Sequence, residues 1–233
     1  MKKAFCILLA AALLLLAGCA AAENGLISDN SGGDVSDIND MPLTISFASK
    51  DELAAWFKNG GKWEEAEGYN GVKTVKSTVY EGVTSLGAAP WVEAKNGFEV
   101  ESRSVNSNNP YVVFILRKTV EGENGRTKNY GITISALPLA KEDARLSLSE
   151  KIKKYSFSSA ASDPDSWAAG DKESGFYEKY GDYFVKAPEE DGGPATAVFA
   201  FSGYLFMARI AVEPDLDAAE GLLLYTDVTE FSL

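Results

Sequence analysis

Histidine is absent from this chain of 233 residues, and cysteine occurs only twice, at Cys6 and Cys19. The lack of histidine excludes a Ser-His-Asp triad and removes the commonest general base and zinc ligand. The sequence also has no Ser-x-x-Lys arrangement, no Gly-x-x-x-x-Gly-Lys phosphate loop and no Gly-x-Ser-x-Gly elbow. Only carboxylate, tyrosine or lysine chemistry stays open. We therefore expect that the protein is not an enzyme, and we predict no catalytic, cofactor-binding or metal-binding residue.

Positive charge is scarce as well. The chain has 22 lysines and arginines against 34 aspartates and glutamates, a net charge of −12, and no basic run. Recognition of nucleic acid depends on a basic patch, so we expect no nucleic-acid partner. The hydrophobic content of 45% and the aromatic content of 11% are those of a globular protein.

The N-terminus has the layout of a secretory signal peptide. Met1-Lys2-Lys3 is basic, the stretch from Ala4 to Ala17 is almost wholly apolar, and a small residue then precedes a cysteine. A transmembrane helix needs about 20 apolar residues, and this run is shorter. A plain secretory signal would explain the run equally well, but it would not require a cysteine at the cleavage point.

The residues that close this run, Leu16-Ala17-Gly18-Cys19, resemble the lipobox of bacterial lipoproteins. The resemblance implies that residues 1–18 are a signal peptide and that Cys19 is acylated through sulfur and becomes the mature N-terminus. It also implies a diacylglyceryl group, whose two chains anchor stably. We therefore expect the protein at the cell membrane, lipid-anchored on the extracytoplasmic face, with the membrane as one partner. Since Cys6 would leave with the signal peptide, no thiol would remain.

Residues 19–41 are predicted to be the lipidated cysteine and a flexible tether. The stretch is rich in Ala, Gly, Ser, Asn and Asp and has few large apolar groups, so it cannot bury enough surface to fold. A coil of this length spans roughly 25 Å on average. Its aspartates lack the ligand spacing of an EF-hand, so we interpret them as an acidic linker.

Residues 42–233 are predicted to form a globular α+β domain of antiparallel β-sheet meanders with a few packed helices. Ser49 and Glu52 have the spacing of a capping box, and Gly60-Gly61 is a stop signal, so a helix is expected between them. Three strands joined by short turns are predicted around 98–101, 111–116 and 130–136. The pattern of residues 62–96 fits a helix and a strand equally.

A helix from about Ser149 to Tyr155 is expected after these three strands, and the second part of the domain repeats this order of strands and then a helix. Strands are predicted at Phe176 to Lys186, as one long strand or a pair, and at Ala195–Phe201, Tyr204–Val212 and Val228–Leu233, with a helix opened by Pro214. The order therefore suggests two strand-then-helix units, around 98–155 and 176–226, in halves 42–160 and 161–233.

A fainter resemblance covers the mature domain. The capped helix with Trp56-Phe57, the Pro90-Trp91 step, and Gly97-Phe98-Glu99-Val100 before a Tyr-Val-Val strand look like uncharacterised lipoproteins of Gram-positive gut bacteria. Those families have no assigned activity, so the resemblance implies no site.

Three tryptophans near predicted loops, Trp63, Trp91 and Trp167, are the candidate ligand contacts, because exposed aromatic rings stack on sugars or anchor a partner. Burial in the core is the alternative for each of them. We expect a non-catalytic binding or interaction module with an unknown protein or carbohydrate partner. The alternatives are carbohydrate or cell-wall binding through these tryptophans, and a carboxylate-type hydrolase that would use acids such as Glu64, Glu65 and Glu67.

Overall fold

The computed structural model describes residues 44–61, 83, 86–106, 109–122, 125–155, 167–188, 193–212 and 216–233. The described helices are α1 (Lys50–Lys58), α2 (Leu148–Tyr155), α3 (Gly175–Tyr180) and α4 (Ala218–Tyr225), with a 3-10 helix at Lys141–Arg145. The strands are β1 (Thr44–Ser46), β2 (Ala88–Ala94), β3 (Glu99–Asn106), β4 (Asn109–Glu121), β5 (Thr127–Pro138), β6 (Ala168–Ala169), β7 (Tyr183–Lys186), β8 (Ala195–Phe201), β9 (Tyr204–Ala211) and β10 (Thr226–Ser232).

Most of the described chain forms one antiparallel sheet of eight strands in the order β1-β3-β4-β5-β9-β8-β7-β6. The predicted meander is present as β3-β4-β5, and β5 then pairs with β9, so that Ile134 lies between Phe114 and Ala208. Strands β10 and β2 form a separate antiparallel ribbon. The expectation of an antiparallel α+β fold is confirmed at this level, and sheet dominates it.

The inner face of the large sheet carries the main core. Phe114, Ile134, Phe199 and Phe206 project from neighbouring strands and are at most 1% exposed. The elements that cover them contribute further buried residues to the same cluster: Leu53 and Phe57 from α1, Trp91 from β2, Phe176 from α3, Leu222 from α4 and Val228 from β10. These three helices and the two ribbon strands can cover the sheet because each presents an apolar side to it.

The outer face carries a smaller cluster under α2. Leu148 and Ile152, four residues apart on one side of α2, pack with Trp167 and with residues of the sheet: Leu137, Val198 and Leu205. Helix α2 and Trp167 therefore cover this part of the outer face.

Helix α1 forms as its sequence predicts. The Ser49 hydroxyl accepts a hydrogen bond from the Glu52 amide (3.2 Å), while the Glu52 carboxylate accepts one from the Ala48 amide (2.7 Å), one residue before the expected partner. After the helix, Gly60 and Gly61 adopt φ angles of 81° and 61°, which glycine tolerates without strain.

The prediction of strand from Phe176 to Lys186 is wrong over its first half. Helix α3 occupies Gly175–Tyr180, and β7 begins only at Tyr183. The aromatic residues of this segment have high β propensity, but the Ser174 hydroxyl accepts from the Tyr177 amide (3.1 Å) and starts a helical turn. Phe176 and Tyr180, four residues apart, are thereby buried on the same side.

Helix α4 starts at Ala218, with Asp217 as its cap, whose carboxylate accepts from the Glu220 amide (2.8 Å). The expected helix start at Pro214 lies outside the described residues. Strand β10 begins at Thr226, two residues before the predicted start, directly after the helix.

The two predicted halves, 42–160 and 161–233, share the large sheet, because β5 of the first pairs with β9 of the second. Duplication of a strand-then-helix unit stays a prediction. In 62–96, β2 is a strand, whereas residues 62–82 lie outside the described part, as do the signal peptide and the tether. No described helix has the length and apolar character needed to span a bilayer.

Candidate functional site

Trp91, a predicted ligand contact, is packed into the core and is 3% exposed. Its ring meets Phe114 and Phe231 edge to face, with centroids 6.4 and 6.1 Å apart. The Arg103 guanidinium carbon lies 4.3 Å from the ring centroid, and the indole Nε1 donates to the Glu93 carboxylate at 2.5 Å. Residues of the same chain surround the indole. Trp91 therefore fits the alternative of burial in the core and not that of an exposed ligand contact.

Trp167 is also buried, at 8% exposed, in the cluster beneath α2. Its indole Nε1 has no hydrogen-bond partner among the residues that the structure describes. The other predicted contact, Trp63, and the predicted lipidation site, Cys19, lie outside the described residues. The structure therefore does not bring the three tryptophans together in one described groove.

The most concentrated polar chemistry is a triad that sequence reasoning missed: Asp143 of the 3-10 helix with Lys154 and Tyr155 of α2. Asp143 is 5% exposed. Its carboxylate accepts from the Lys154 ammonium (2.6 Å) and, at short range, from the Tyr155 hydroxyl. The same hydroxyl accepts from the Ala140 amide (2.8 Å), so the triad fixes the 3-10 helix against α2.

The pKa shifts of the triad favour a structural role. The hydrogen bond from Lys154 lowers the pKa of Asp143, and the bond to Asp143 raises the pKa of Lys154. Burial, followed by the hydrogen bond to Asp143, raises the pKa of Tyr155. Each shift moves the pKa of its group further from neutral pH. A general acid or base works best with a pKa near the operating pH.

An open depression of about 510 Å³ lies on the 3-10 helix, beside the triad. It is lined by Lys141, Glu142, Ala144 and Arg145, all of them exposed. A small-molecule site is ordinarily a concave, mostly apolar cleft that surrounds its ligand, and this lining does not have that character.

The second cavity, of about 350 Å³, lies where β1 leaves the edge of β3 for α1, and it holds two carboxylates. Glu52 and Glu101 line it together with Arg103. Glu52 caps α1 through the Ala48 amide, and Glu101 accepts from Arg117 Nε at 2.9 Å. Both acids therefore already have structural partners, and both are exposed. Hydrolysis of the glycosidase type would instead need one carboxylic acid as proton donor and one carboxylate as base or nucleophile, both directed at a bound substrate.

Strands β4 and β5 form a second feature that the sequence analysis did not anticipate, since they run well past their neighbours. β3 pairs with β4 only as far as Arg117, and β9 pairs with β5 only as far as Gly131. The sequence predicted the loop tip but ended the strands near Leu116 and Tyr130. Many residues beyond those points are charged or polar, so the apolar pattern that predicts a strand ends before the paired strands do.

Among the described residues, no group of three acidic, histidine or cysteine side chains comes together as metal ligands. Comparisons with protein-family models, with curated proteins and with solved structures find no match to this chain.

Proposed function

We propose that this protein is a lipid-anchored extracytoplasmic protein whose domain acts as a non-catalytic binding or interaction module. The observation that carries the proposal is the sequence Leu16-Ala17-Gly18-Cys19 at the end of a short apolar run. Acylation of Cys19 would hold the chain at the membrane surface, and the acidic tether would hold the folded domain at a distance from it.

The polar groups of the domain support interaction rather than catalysis. The triad of Asp143, Lys154 and Tyr155 ties two elements together, and the carboxylates of the second cavity serve the cap of α1 and an ion pair. The chain contains no histidine. A tightly packed sheet whose acids hold structural partners is suited to presenting a surface.

The two alternatives have separate requirements. Binding of sugars through tryptophan now depends on Trp63, because the rings of Trp91 and Trp167 are packed against residues of their own chain. Carboxylate hydrolysis through Glu64, Glu65 and Glu67 depends on residues outside the described part of the chain. Among the described acids, Glu52 and Glu101 would first have to give up the partners described above.

Metabolic labelling with an alkyne fatty acid tests the anchor. We expect label on the wild-type chain and none on Cys19→Ala. The matched control is Cys6→Ala, which removes the other cysteine and should label normally, because Cys6 lies within the segment that is cleaved off. Equal labelling of the wild type and Cys19→Ala would refute the anchor.

A further inference from the structure

The chain enters the folded domain at one end of the large sheet. Thr44, the first described residue, pairs with Asn106 beside the β3–β4 turn. Strand β4 begins next to that turn, and β5 ends beside the start of β4, at Pro138. We call this end of the sheet the entry end. The 12 residues of β5 place the β4–β5 turn at the opposite end, roughly 36 Å away.

The segment that follows β5 at the entry end has more basic than acidic side chains. Residues 141–155, which comprise the 3-10 helix and α2, carry five basic and three acidic side chains: Lys141, Arg145, Lys151, Lys153 and Lys154 against Glu142, Asp143 and Glu150. The ammonium groups of Lys151 and Lys154 reach the 3-10 helix, where they donate to the Ala144 carbonyl (3.2 Å) and to the Asp143 carboxylate (2.7 Å). We therefore define the basic patch as Lys141, Arg145, Lys151 and Lys154.

The basic patch keeps a net positive charge when every acid of the 3-10 helix is counted. Its four cations face two acids, Glu142 and Asp143, which leaves a net charge of +2. Asp143 is buried and already paired with Lys154. The side chains of Lys141 and Arg145 are exposed and form no hydrogen bond or ion pair with any residue that the structure describes. Two cations are therefore available to an external partner.

The turns beside the basic patch are uncharged. The β3–β4 and β8–β9 turns, within residues 105–111 and 200–206, have no charged residue. Glu230 and the C-terminus belong to the β2–β10 ribbon, which covers the inner face of the sheet, whereas the patch lies with α2 on the outer face. Charges more than about 8 Å apart are largely screened at physiological ionic strength, so acids in distant parts of the chain act weakly at this patch.

We propose that the basic patch docks on the anionic lipid headgroups of the membrane to which the chain is anchored, so that the entry end faces the bilayer. Basic side chains close to an anionic leaflet are attracted to it. Because the tether joins the domain at the entry end, the lipid and the patch reach the same surface without the chain having to fold back. This inference rests on the proposed lipid anchor and adds a second, electrostatic contact with the membrane. The β4–β5 turn then points away from the bilayer.

The shape of the basic patch and the tether both favour this partner. Lys141 and Arg145 line the open depression of about 510 Å³, together with Glu142 and Ala144. A small-molecule site surrounds its ligand, whereas lipid headgroups approach a protein from one side and can enter an open depression. A flexible tether also raises the local concentration of the membrane at the patch, so that a few charges suffice for docking. Because the contact is electrostatic and exposed, it should weaken as salt rises.

Energy transfer from a fluorophore on the domain to acceptor-labelled lipids tests this orientation. The lipidated chain is labelled at Ala144→Cys in the depression or, in a second sample, at Thr127→Cys beside the β4–β5 turn, and both positions are exposed. Each sample is reconstituted into phosphatidylcholine vesicles with or without phosphatidylglycerol. On anionic vesicles, transfer from the Ala144 label should exceed transfer from the Thr127 label. The difference should vanish on neutral vesicles and in 1 M salt, where the screening length is about 3 Å.

Two double reversals of charge locate the docking surface. Each basic residue at an anionic surface shifts the ratio of docked to undocked chain by about fivefold, so Lys141→Glu with Arg145→Glu should lower that ratio by about 25-fold or more. The matched control is Lys128→Glu with Arg126→Glu, which changes the same residue types by the same charge at the opposite end and should leave docking unchanged. Since all four side chains are exposed, both variants should unfold at the wild-type thermal midpoint.

Equal transfer from the two labels on anionic vesicles, or a difference that is the same without phosphatidylglycerol, would overturn the proposal. If both charge reversals lower transfer equally, the attraction is general and the basic patch is not the docking surface, which also overturns it. Flotation of the chain with neutral vesicles is measured in the same samples and depends on the lipid alone. A chain that floats but does not orient refutes docking and leaves the anchor intact, whereas a chain that does not float refutes the anchor and docking with it.

Discussion

The two faces of the eight-stranded sheet are covered in different ways. The inner face lies under α1, α3, α4 and the β2–β10 ribbon, and its cluster is dense in aromatic rings, including the stacked pair Phe199–Phe206 with centroids 4.9 Å apart. The outer face lies under α2 alone among the described elements, and its cluster is smaller and largely aliphatic. A polar triad around Asp143 helps to hold α2 in place.

This difference separates global stability from local attachment. Removing a ring from the inner face leaves a cavity that several elements share, so the whole fold should lose stability. Loosening α2 affects one helix on one side of the sheet. We therefore expect the loss in the free energy of unfolding on substitution to depend more on which face of the sheet the residue packs against than on how polar the residue is.

The largest effect is expected at Phe199, which is fully buried and contacts Phe176, Tyr180 and Phe206. Phe199→Ala should lower the free energy of unfolding by about 3–5 kcal/mol, because the lost ring leaves an apolar cavity. Urea unfolding measures this, and a cost below that of the outer-face variant described next would reverse the comparison.

Ile152→Ala is the outer-face counterpart, at a residue that is 1% exposed. Large-to-small substitutions of this kind cost about 2–5 kcal/mol, and we expect a value near the lower limit because a cluster under a single helix can collapse around the gap. The same urea titration should show it. Hydrogen exchange should show the extra opening confined to α2, and opening that extends to the inner strands would contradict a merely local attachment.

Asp143→Asn should destabilise the attachment of α2 in a pH-dependent way. The pKa of Asp143 is lowered on folding, so its contribution is present above the unfolded value of about 3.9 and is lost as the pH falls through the folded value. The pKa of Lys154 is raised, so its contribution is lost only as the pH rises through a value above about 10.4.

The difference in thermal midpoint between wild type and Asp143→Asn should accordingly be greatest from about pH 5 to pH 9 and should shrink towards acid. The control is Lys151→Gln, a neutralisation on the same helix at a lysine whose ammonium donates to the Ala144 carbonyl and forms no ion pair with the described acids. A difference that stays constant down to pH 2 would show that the charge of Asp143 is irrelevant.

The smallest effects are expected at the helix caps, one for each face. The Ser49 hydroxyl caps α1, and Ser147 with Glu150 forms a full capping box on α2, with bonds of 2.8 and 3.3 Å between each amide and the other side chain. Each serine to alanine change should cost about 1 kcal/mol. Equal costs would show that caps act locally. A much larger cost for Ser147 would mean that α2 depends on its cap more than on packing.

The sequence predicts those parts of the fold whose signals are local. The capping box of α1 and the β3-β4-β5 meander follow from spacing and turn chemistry, and the structure has both. Helix α3 was missed because its signal, a serine cap, competes with aromatic residues that favour strands. The pairing of β5 with β9 joins residues far apart in sequence, and no local pattern encodes it.

The candidate site was less predictable for the same reason. Burial of Trp91 depends on Phe114, Arg103 and Phe231, which come from three other strands. The triad around Asp143 joins residues 11 and 12 positions apart across a turn. The extension of β4 and β5 is visible only when the lengths of paired strands are compared, because it begins where β3 and β9 stop.

The account as a whole depends on the anchor, and the intact mass of the protein extracted from membranes tests it most directly. The chain should begin at Cys19, lack residues 1–18, and carry the added mass of a diacylglyceryl group on that cysteine. A mature chain that begins at any other residue, or one with an unmodified Cys19, would contradict the claim that this domain is held at the membrane surface by a lipid.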